Sequence, residues 1–220
     1  MPVSSIEQTE DEVIVEGRTA THRAQHVIVA LAPGLCERIR FTPPLTRARR
    51  ELQRRMFTGS VVKCIVGYER PFWRQDGYSG EGVSDNGLVQ LVFDDCSADG
   101  QKAALLAFIL GDAAREARKL TSELRRQAVI ACLERLFGEQ AARPSGYVDY
   151  DWSGDEWSAG CYGGLHPPGV LSTVGGALRT PCGRIHFAGS ESATRWQGFM
   201  DGALESGERA AEEVLDFLRS

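Results

Sequence analysis

The sequence contains no stretch that is long and apolar enough to cross a membrane as a helix. Its longest unbroken apolar run is 103–110, whereas a spanning helix needs roughly 20 apolar residues. The opening residues, MPVSSIEQTEDE, are polar and acidic, and they lack the basic start and the apolar stretch of a secretory signal peptide. We therefore expect a protein without a membrane span and without membrane partners.

Cysteine pairs and paired metal ligands are also missing. The six cysteines are scattered without a CxxC pair: Cys36, Cys64, Cys96, Cys132, Cys161 and Cys182. The four histidines, at positions 22, 26, 166 and 186, show no metal-ligand spacing. This usage predicts reduced thiols in a cytoplasmic protein, and it predicts no metal site.

No excess of positive charge is present, because 25 Lys and Arg residues face 30 Asp and Glu residues, a net charge of −5. This balance argues against nucleic acid as a partner. A basic cluster at 47–55 has helical spacing, and it indicates either a solvated helix face or an anion site. With 42% hydrophobic and 25% charged residues, the composition is that of an ordinary globular chain.

The glycine-rich βα turn of a dinucleotide-binding domain is absent, since no segment matches GxGxxG. The start of the chain instead predicts a hairpin, with strands at Val13–Val15 and His26–Leu31 on either side of Gly17. The usual route to a nucleotide-binding domain is therefore not available within this sequence.

Strand and helix patterns alternate along the rest of the chain. Strands are predicted at 60–68, 88–93, 104–110 and 184–188, and helices at 46–56, 113–119, 122–137 and 201–218. The glycine- and aromatic-rich stretch 147–169 is predicted to be a structured loop region. The last helix has an apolar face that includes Leu204, Ala211 and Leu215. The fold class is accordingly α/β or mixed α+β.

Three segments carry residues suited to chemistry. Lys63 lies inside the apolar strand VVKCIV, where it either points to solvent or is aimed into a site. Cys161, in SAGCYGG, is a nucleophile, a covalent attachment point for a cofactor, or an inert small residue. The third segment, 187–203, runs from a strand through a glycine loop into a helix, either as a tight turn or as an anion- or carbonyl-binding site.

These segments together resemble the flavin-containing amine oxidases, and the monoamine oxidases most closely. The resemblance runs in order through VIVALAP, FTPPL, GSVVKCIVGYERPFWR, FILGDAAREARKLT, SAGCYGGLHPPGVL and RIHFAGSESATRWQGFMDGALESGERAAEEVL. It implies an FAD-binding domain assembled from 1–52 and 155–220, with a substrate-binding domain, built from a mixed sheet and helices, inserted at 53–154. Because the motif for the adenine end is not in this sequence, we expect the FAD-binding domain to be incomplete here.

The resemblance also implies roles for single residues. Lys63 matches a lysine that holds a water against flavin N5, and Trp152 matches a tryptophan beside the flavin ring. Cys161 matches the cysteine that forms a thioether to the flavin in monoamine oxidases. Tyr162 and Phe199 match the two walls of an aromatic cage around the substrate amine, although the animal enzymes carry tyrosine in place of Phe199. The matches that line the ribityl and ring portions of FAD are Gly189, Ser190, Glu191, Gly198, Met200 and Ala203.

The implied reaction is oxidation of an amine to an imine, which hydrolyses to an aldehyde, with reduction of oxygen to hydrogen peroxide. Monoamines are the first expectation for the substrate, and polyamines or L-amino acids are the alternative. Three hypotheses describe the chain itself: a fragment of such an enzyme, one subunit of a split enzyme, or a non-catalytic remnant. We expect the chain alone not to hold FAD stoichiometrically.

Overall fold

A computed structural model describes residues 2–219, which form two compact units. Of the described residues, 2–58 and 162–219 form the first unit, and 59–161 form the second. The domain boundaries expected from the sequence lie after residues 52 and 154. Which unit binds FAD and which binds substrate stays a prediction.

The first unit contains a four-stranded sheet in the order β3-β2-β1-β5. Its strands are β1 (Val3–Gln8), β2 (Val13–Gly17), β3 (Thr21–Ala24) and β5 (Arg40–Thr42). The β1–β5 pair is parallel, and the β1–β2 and β2–β3 pairs are antiparallel.

The prediction that 26–31 forms a hairpin with β2 is wrong. Strand β4 (Val27–Val29) lies in the predicted segment, but it pairs in parallel with β13 (Ile185–Phe187) instead of with β2. The short, polar β3 comes between β2 and β4 and takes the hairpin position. Its sequence, THRA, has no apolar alternation, so the pattern gave no sign of a strand there.

The first unit also contains several helices. Helix α1 (Arg47–Arg55) begins after Thr46, whose Oγ1 accepts a hydrogen bond from the N–H of Arg49 and so caps the helix. Short helical segments follow at Val170–Val174 (α5) and Gly175–Leu178, before the long α6 (Met200–Arg219). The predicted helices at 46–56 and 201–218 are thus confirmed.

Helix α6 does not pack on its unit through its apolar face. The buried positions are Gly202, Ser206 and Ala210, whereas Met200 is 86% exposed and Leu204 is 69% exposed. Small side chains let the helix approach β13 and the loop after it closely. The larger apolar side chains of α6 therefore form an exposed stripe.

The second unit is built on a five-stranded sheet in the order β11-β7-β10-β9-β8. The strands are β7 (Val61–Tyr68), β8 (Gly82–Val83), β9 (Leu91–Asp94), β10 (Ala103–Leu110) and β11 (Gly146–Asp151). Every neighbouring pair in this sheet is antiparallel. The resemblance implies a mixed sheet here, so this detail differs, and parallel pairs occur in the first unit instead.

Strand β11 corrects the prediction that 147–169 consists of loops. It pairs with β7 along its whole length, from Gly146 opposite Gly67 to Asp151 opposite Val62. Its sequence, GYVDYD, alternates exposed and half-buried positions, but the half-buried ones include two aspartates. The apolar alternation that identifies a strand is therefore weak in this segment.

Helices α2 (Phe72–Gln75), α3 (Gly111–Ala117) and α4 (Ser122–Phe137) complete the second unit. Thr121 Oγ1 accepts a hydrogen bond from the N–H of Leu124, and Gly138, with φ of 85°, ends α4. The core of this unit lies between the sheet and α4, around Trp73, Leu105 and Leu133. The remaining strands, β6 (Phe57–Thr58) and β12 (Gly164–Leu165), pair antiparallel in the first unit.

Candidate active site

Lys63 lies on β7, between β11 and β10 in the second unit's sheet. Strand β7 places it opposite Phe108 of β10 and Tyr150 of β11. Its Nζ lies 5.8 Å from the ring centroid of Phe108 and 5.8 Å from that of Trp152, at the distance of a weak cation–π contact. The side chain is half-buried, so it borders two aromatic rings instead of standing fully in solvent.

Cys161 belongs to the same group of side chains. Its backbone N–H donates to the carbonyl oxygen of Gly59 at 2.9 Å, which fixes the segment beside the start of β7. Burial raises the pKa of the Cys161 thiol, and the positive charge and hydrogen bond of Lys63 oppose that rise. The thiol is therefore protonated at neutral pH, and Lys63 is the group on this sheet that favours its thiolate.

Tyr162, Gly163 and Gly164 follow in the first unit. Tyr162 is 65% exposed. The N–H of Gly164 donates to Oε1 of Glu191 at 2.7 Å, and Gly164 then pairs with Thr58 in the β12–β6 ladder. The exposed ring of Tyr162 thus directly precedes a backbone segment that contacts both Glu191 and Thr58.

The loop after β13 begins with Gly189, whose φ of 124° is open to glycine but strained for other residues. The N–H of Gly189 donates to Ser206 Oγ of α6 at 2.9 Å. Ser190 accepts the N–H of Gly198 through its carbonyl oxygen at 3.3 Å, so the loop folds back on itself. Glu191 is buried, at 7% exposure.

Three side chains outside the predicted set hold this loop in place. Arg179 donates from Nε to the carbonyl of Ser192 at 2.7 Å and from its terminal nitrogen to the carbonyl of Ala193 at 2.8 Å. Glu205 of α6 accepts from the N–H and the hydroxyl of Thr194 at 2.8 and 2.6 Å. Ser206 is the third. These partners are far apart in the sequence, so no short motif indicated them.

Phe199 stands at the end of the loop, just before α6. It is 63% exposed, and its ring packs edge-on against Trp196 with centroids 5.9 Å apart. Trp196 has a positive φ of 52°, a strained conformation for a non-glycine residue that the surrounding hydrogen bonds must maintain. Met200 and Ala203 open the helix and are exposed.

The predicted site residues fall into two groups. Lys63, Trp152 and Cys161 share the second unit, and Lys63 brings them together through its contacts with the Trp152 ring and the Cys161 thiol. The first unit holds the larger group: Tyr162, Gly189, Ser190, Glu191, Gly198, Phe199, Met200 and Ala203. The role of each residue stays a prediction.

The residues present fit the ring end of a flavin. Exposed planar and apolar side chains (Tyr162, Trp196 and Phe199) suit a large aromatic ligand. Beside them, Gly198 has open space where a Cβ would stand, so the backbone is accessible there. Within residues 2–219, no group of three or more His, Cys, Asp or Glu residues could hold a metal ion. No helix in that range has the length and hydropathy to cross a membrane.

The family model described as "Flavin containing amine oxidoreductase" matches residues 1–215. The chain therefore belongs to the flavin-containing amine oxidoreductase family, as the motifs predict.

Individual relatives agree with this assignment. The chain is 41% identical to "Probable flavin-containing monoamine oxidase A" of Dictyostelium discoideum, over 99% of this chain and 48% of the relative. It is 41% identical to human "Amine oxidase [flavin-containing] B", over 97% of this chain and 42% of that protein.

Solved structures give the same result. Cyclohexylamine oxidase from Brevibacterium oxydans IH-35A superposes with a TM-score of 0.95 at 34% identity, over 100% of this chain and 49% of its own. Wild-type putrescine oxidase bound to putrescine superposes with a TM-score of 0.92 at 33% identity, over 98% of this chain and 48% of its own. The chain thus spans about half the length of these proteins.

Proposed function

We propose that this chain supplies the flavin-ring and amine-binding residues of an FAD-dependent amine oxidase of the monoamine oxidase type. The observation that carries the proposal is that Lys63 contacts Trp152 and Cys161, two predicted site residues that lie about 90 positions further along the chain. Chance grouping of a strand lysine, a tryptophan and a cysteine that all match one family site is improbable. The family membership of the whole chain supports the same reaction.

FAD, when bound, supplies the two-electron oxidation of the amine and the reduction of oxygen to hydrogen peroxide. In this proposal Lys63 would hold a water near the flavin ring, and Trp152 would border that ring. Tyr162 and Phe199 flank the amine nitrogen with their ring faces. Cys161 is the candidate for covalent attachment, and the loop 189–203 contributes backbone contacts to the cofactor.

The substrate-binding role is assigned to the second unit, and the FAD-binding role to the first. We also propose that the exposed stripe of α6, which includes Met200, Leu204 and Leu215, packs against an FAD-binding half that this chain does not span. Relatives about twice as long supply room for such a half. A cytoplasmic location is also part of the proposal, and the scattered cysteines without a CxxC pair support it.

Two substrate classes, monoamines and polyamines, are candidates for this site. Likeness to cyclohexylamine oxidase and to monoamine oxidases favours a monoamine. Likeness to putrescine oxidase supports a diamine or polyamine as the second candidate. Phe199 keeps an aromatic face but lacks a hydroxyl, so we expect an altered substrate preference relative to enzymes with tyrosine there.

The test uses a chimera in which this complete chain is joined to the part of the Dictyostelium relative that it does not span. We expect the chimera to release hydrogen peroxide with benzylamine or tyramine faster than with putrescine or spermidine. Lys63→Met should lower the rate strongly, whereas Lys102→Met, at an exposed turn of the same unit, should not. A folded, FAD-containing chimera that oxidises none of these amines would overturn the proposal.

Covalent attachment is tested on the same chimera by acid precipitation. We expect yellow flavin in the protein pellet, and its full release to the supernatant in Cys161→Ala. Cys96→Ala is the matched control, since Cys96 is a half-buried free thiol of the same unit. Release from the parent chimera would show that the thioether is absent.

A further inference from the structure

Glu191 connects the two backbone segments that carry Tyr162 and Phe199. We propose that Glu191 is a positioning residue, which fixes the spacing between these two aromatic side chains and acts on the amine through them. The inference rests on the proposed function for its catalytic consequence. Its structural part, the connection itself, concerns the first unit alone.

The side chain of Glu191 holds the Tyr162 segment. Oε1 accepts the backbone N–H of Gly164 at 2.7 Å, two residues after Tyr162. The other oxygen, Oε2, accepts the hydroxyl of Ser190 at 3.3 Å. Both carboxylate oxygens are thus engaged within the chain, and the residue is only 7% exposed, so this carboxylate is directed to the protein.

The backbone of Glu191 holds the Phe199 segment. Its carbonyl oxygen accepts Nε2 of Gln197 at 2.5 Å, two residues before Phe199. The neighbouring carbonyl of Ser190 accepts the N–H of Gly198 at 3.3 Å. A displacement of residue 191 would therefore be transmitted to both aromatic side chains.

Glycines leave the room that this carboxylate occupies. A Cβ on Gly163 would lie 3.0 Å from Oε1, and a Cβ on Gly189 would lie 3.3 Å from Oε2. A Cβ on Gly164 would lie 3.4 Å from Oε1 of Glu191 and 2.8 Å from the terminal methyl of Met56. The close approach of the carboxylate to these backbone segments therefore depends on glycine at all three positions. Because burying a carboxylate is costly unless it is hydrogen-bonded, leucine would be the easier residue for stability alone.

These contacts distinguish positioning from direct cofactor binding, the role that the resemblance implies for Glu191. A cofactor ligand would need a carboxylate lone pair directed to the ligand, whereas this buried carboxylate accepts hydrogen bonds from Gly164 and Ser190. A positioning residue needs only a hydrogen-bond acceptor for Gly164, and a glutamine amide oxygen supplies one. Glu191→Gln should then retain the function, and Glu191→Leu, of similar size, should lose it.

The structural part is tested on the chain alone by amide hydrogen exchange. Glu191→Leu should increase exchange in 162–165 and 196–199 together, and Glu191→Gln should leave both near the parent level. Gln197→Met removes one donor at an exposed position, so it should loosen 196–199 only, and it serves if Glu191→Leu does not fold. Unchanged exchange in both segments of folded Glu191→Leu, or in 196–199 of Gln197→Met, would overturn the proposal.

The catalytic part is tested in the chimera. Loss of one hydrogen bond of this kind corresponds to about a tenfold effect. We expect Glu191→Leu to raise KM for the amine about tenfold with flavin content retained, and Glu191→Gln to stay within about threefold. Glu212→Leu, at an exposed position of α6, is the control.

Loss of flavin with an unchanged KM would show that Glu191 binds the cofactor, and it would overturn the positioning role. If the parent chimera oxidises no amine, the proposed function fails. The exchange experiment still decides whether Glu191 connects the two segments.

Discussion

Gly202 lies where helix α6 passes beneath the loop that carries Phe199, and replacing it with alanine tests that packing directly. A Cβ at this position would stand 2.2 Å from the carbonyl oxygen of Trp196 and 2.9 Å from the Cβ of Ala193. The nearest obstacle is backbone, which cannot move aside as a flexible side chain can. Gly207, one turn and a half further along the same helix, has nothing within 4 Å of its Cβ position and is the matched control.

The expected magnitude follows from two opposing effects. Overpacking a well-filled site costs about 1–3 kcal/mol, and replacing glycine with alanine in a helix returns at most about 1 kcal/mol. Gly202→Ala should therefore lower the free energy of unfolding by up to about 2 kcal/mol. Gly207→Ala keeps only the gain in helix propensity and should raise it by about 0.5–1 kcal/mol.

The assay is urea unfolding of the purified chain, followed by circular dichroism and by tryptophan fluorescence. Opposite shifts of the two midpoints at equal slopes would support the described packing. Equal midpoints for the two variants, or a Gly202→Ala variant more stable than the parent, would refute the close approach of α6 to Trp196.

Two further predictions concern the second unit. Asp149→Asn should destabilise this unit by about 3 kcal/mol, because it breaks the two-hydrogen-bond pair with Arg125 and leaves a largely buried guanidinium without its carboxylate. Glu116→Gln, in an exposed ion pair, is the control and should cost less than about 1 kcal/mol in the same unfolding assay. Burial alone would raise the pKa of Asp149, but the Arg125 hydrogen bonds outweigh it and lower that pKa. This stabilisation should therefore be present above the unfolded pKa of about 4 and be lost as pH falls below it. Burial raises the pKa of Cys161, and Lys63 partly offsets that rise. Lys63→Met should therefore slow alkylation of Cys161 by iodoacetamide near neutral pH and shift the profile of rate against pH to higher pH. An unchanged profile would contradict the contact between Lys63 and Cys161.

Local signals made some elements predictable from the sequence. The bounds 122–137 predicted for α4 are those observed, because Thr121 caps its start and Gly138 ends it within the sequence itself. Strand β7 was predicted from its β-branched residues. In contrast, β11 was missed because two aspartates occupy its half-buried positions, and one of them, Asp149, is neutralised by Arg125 of α4.

Some features of the candidate site were predictable from the sequence, and others depend on the tertiary fold. Family motifs indicated Lys63 and Cys161, but their proximity depends on strand pairing and on loop closure, which no local pattern specifies. No sequence pattern indicated the role of Arg179 and Glu205, which hold the 189–199 loop through contacts with residues 11 to 14 positions away. Such side-chain hydrogen bonds to distant backbone follow from the tertiary fold and have no periodicity of their own.

We propose that this chain carries the flavin-ring and amine side of an amine oxidase site and depends on the half it does not span to retain FAD. The most direct measurement is the ratio of flavin to protein after gel filtration with excess FAD, for the chain alone and for the chimera. We expect a colourless chain and a chimera with close to one flavin per polypeptide. A chain that retains stoichiometric flavin by itself, or a folded chimera that retains none, would contradict this account.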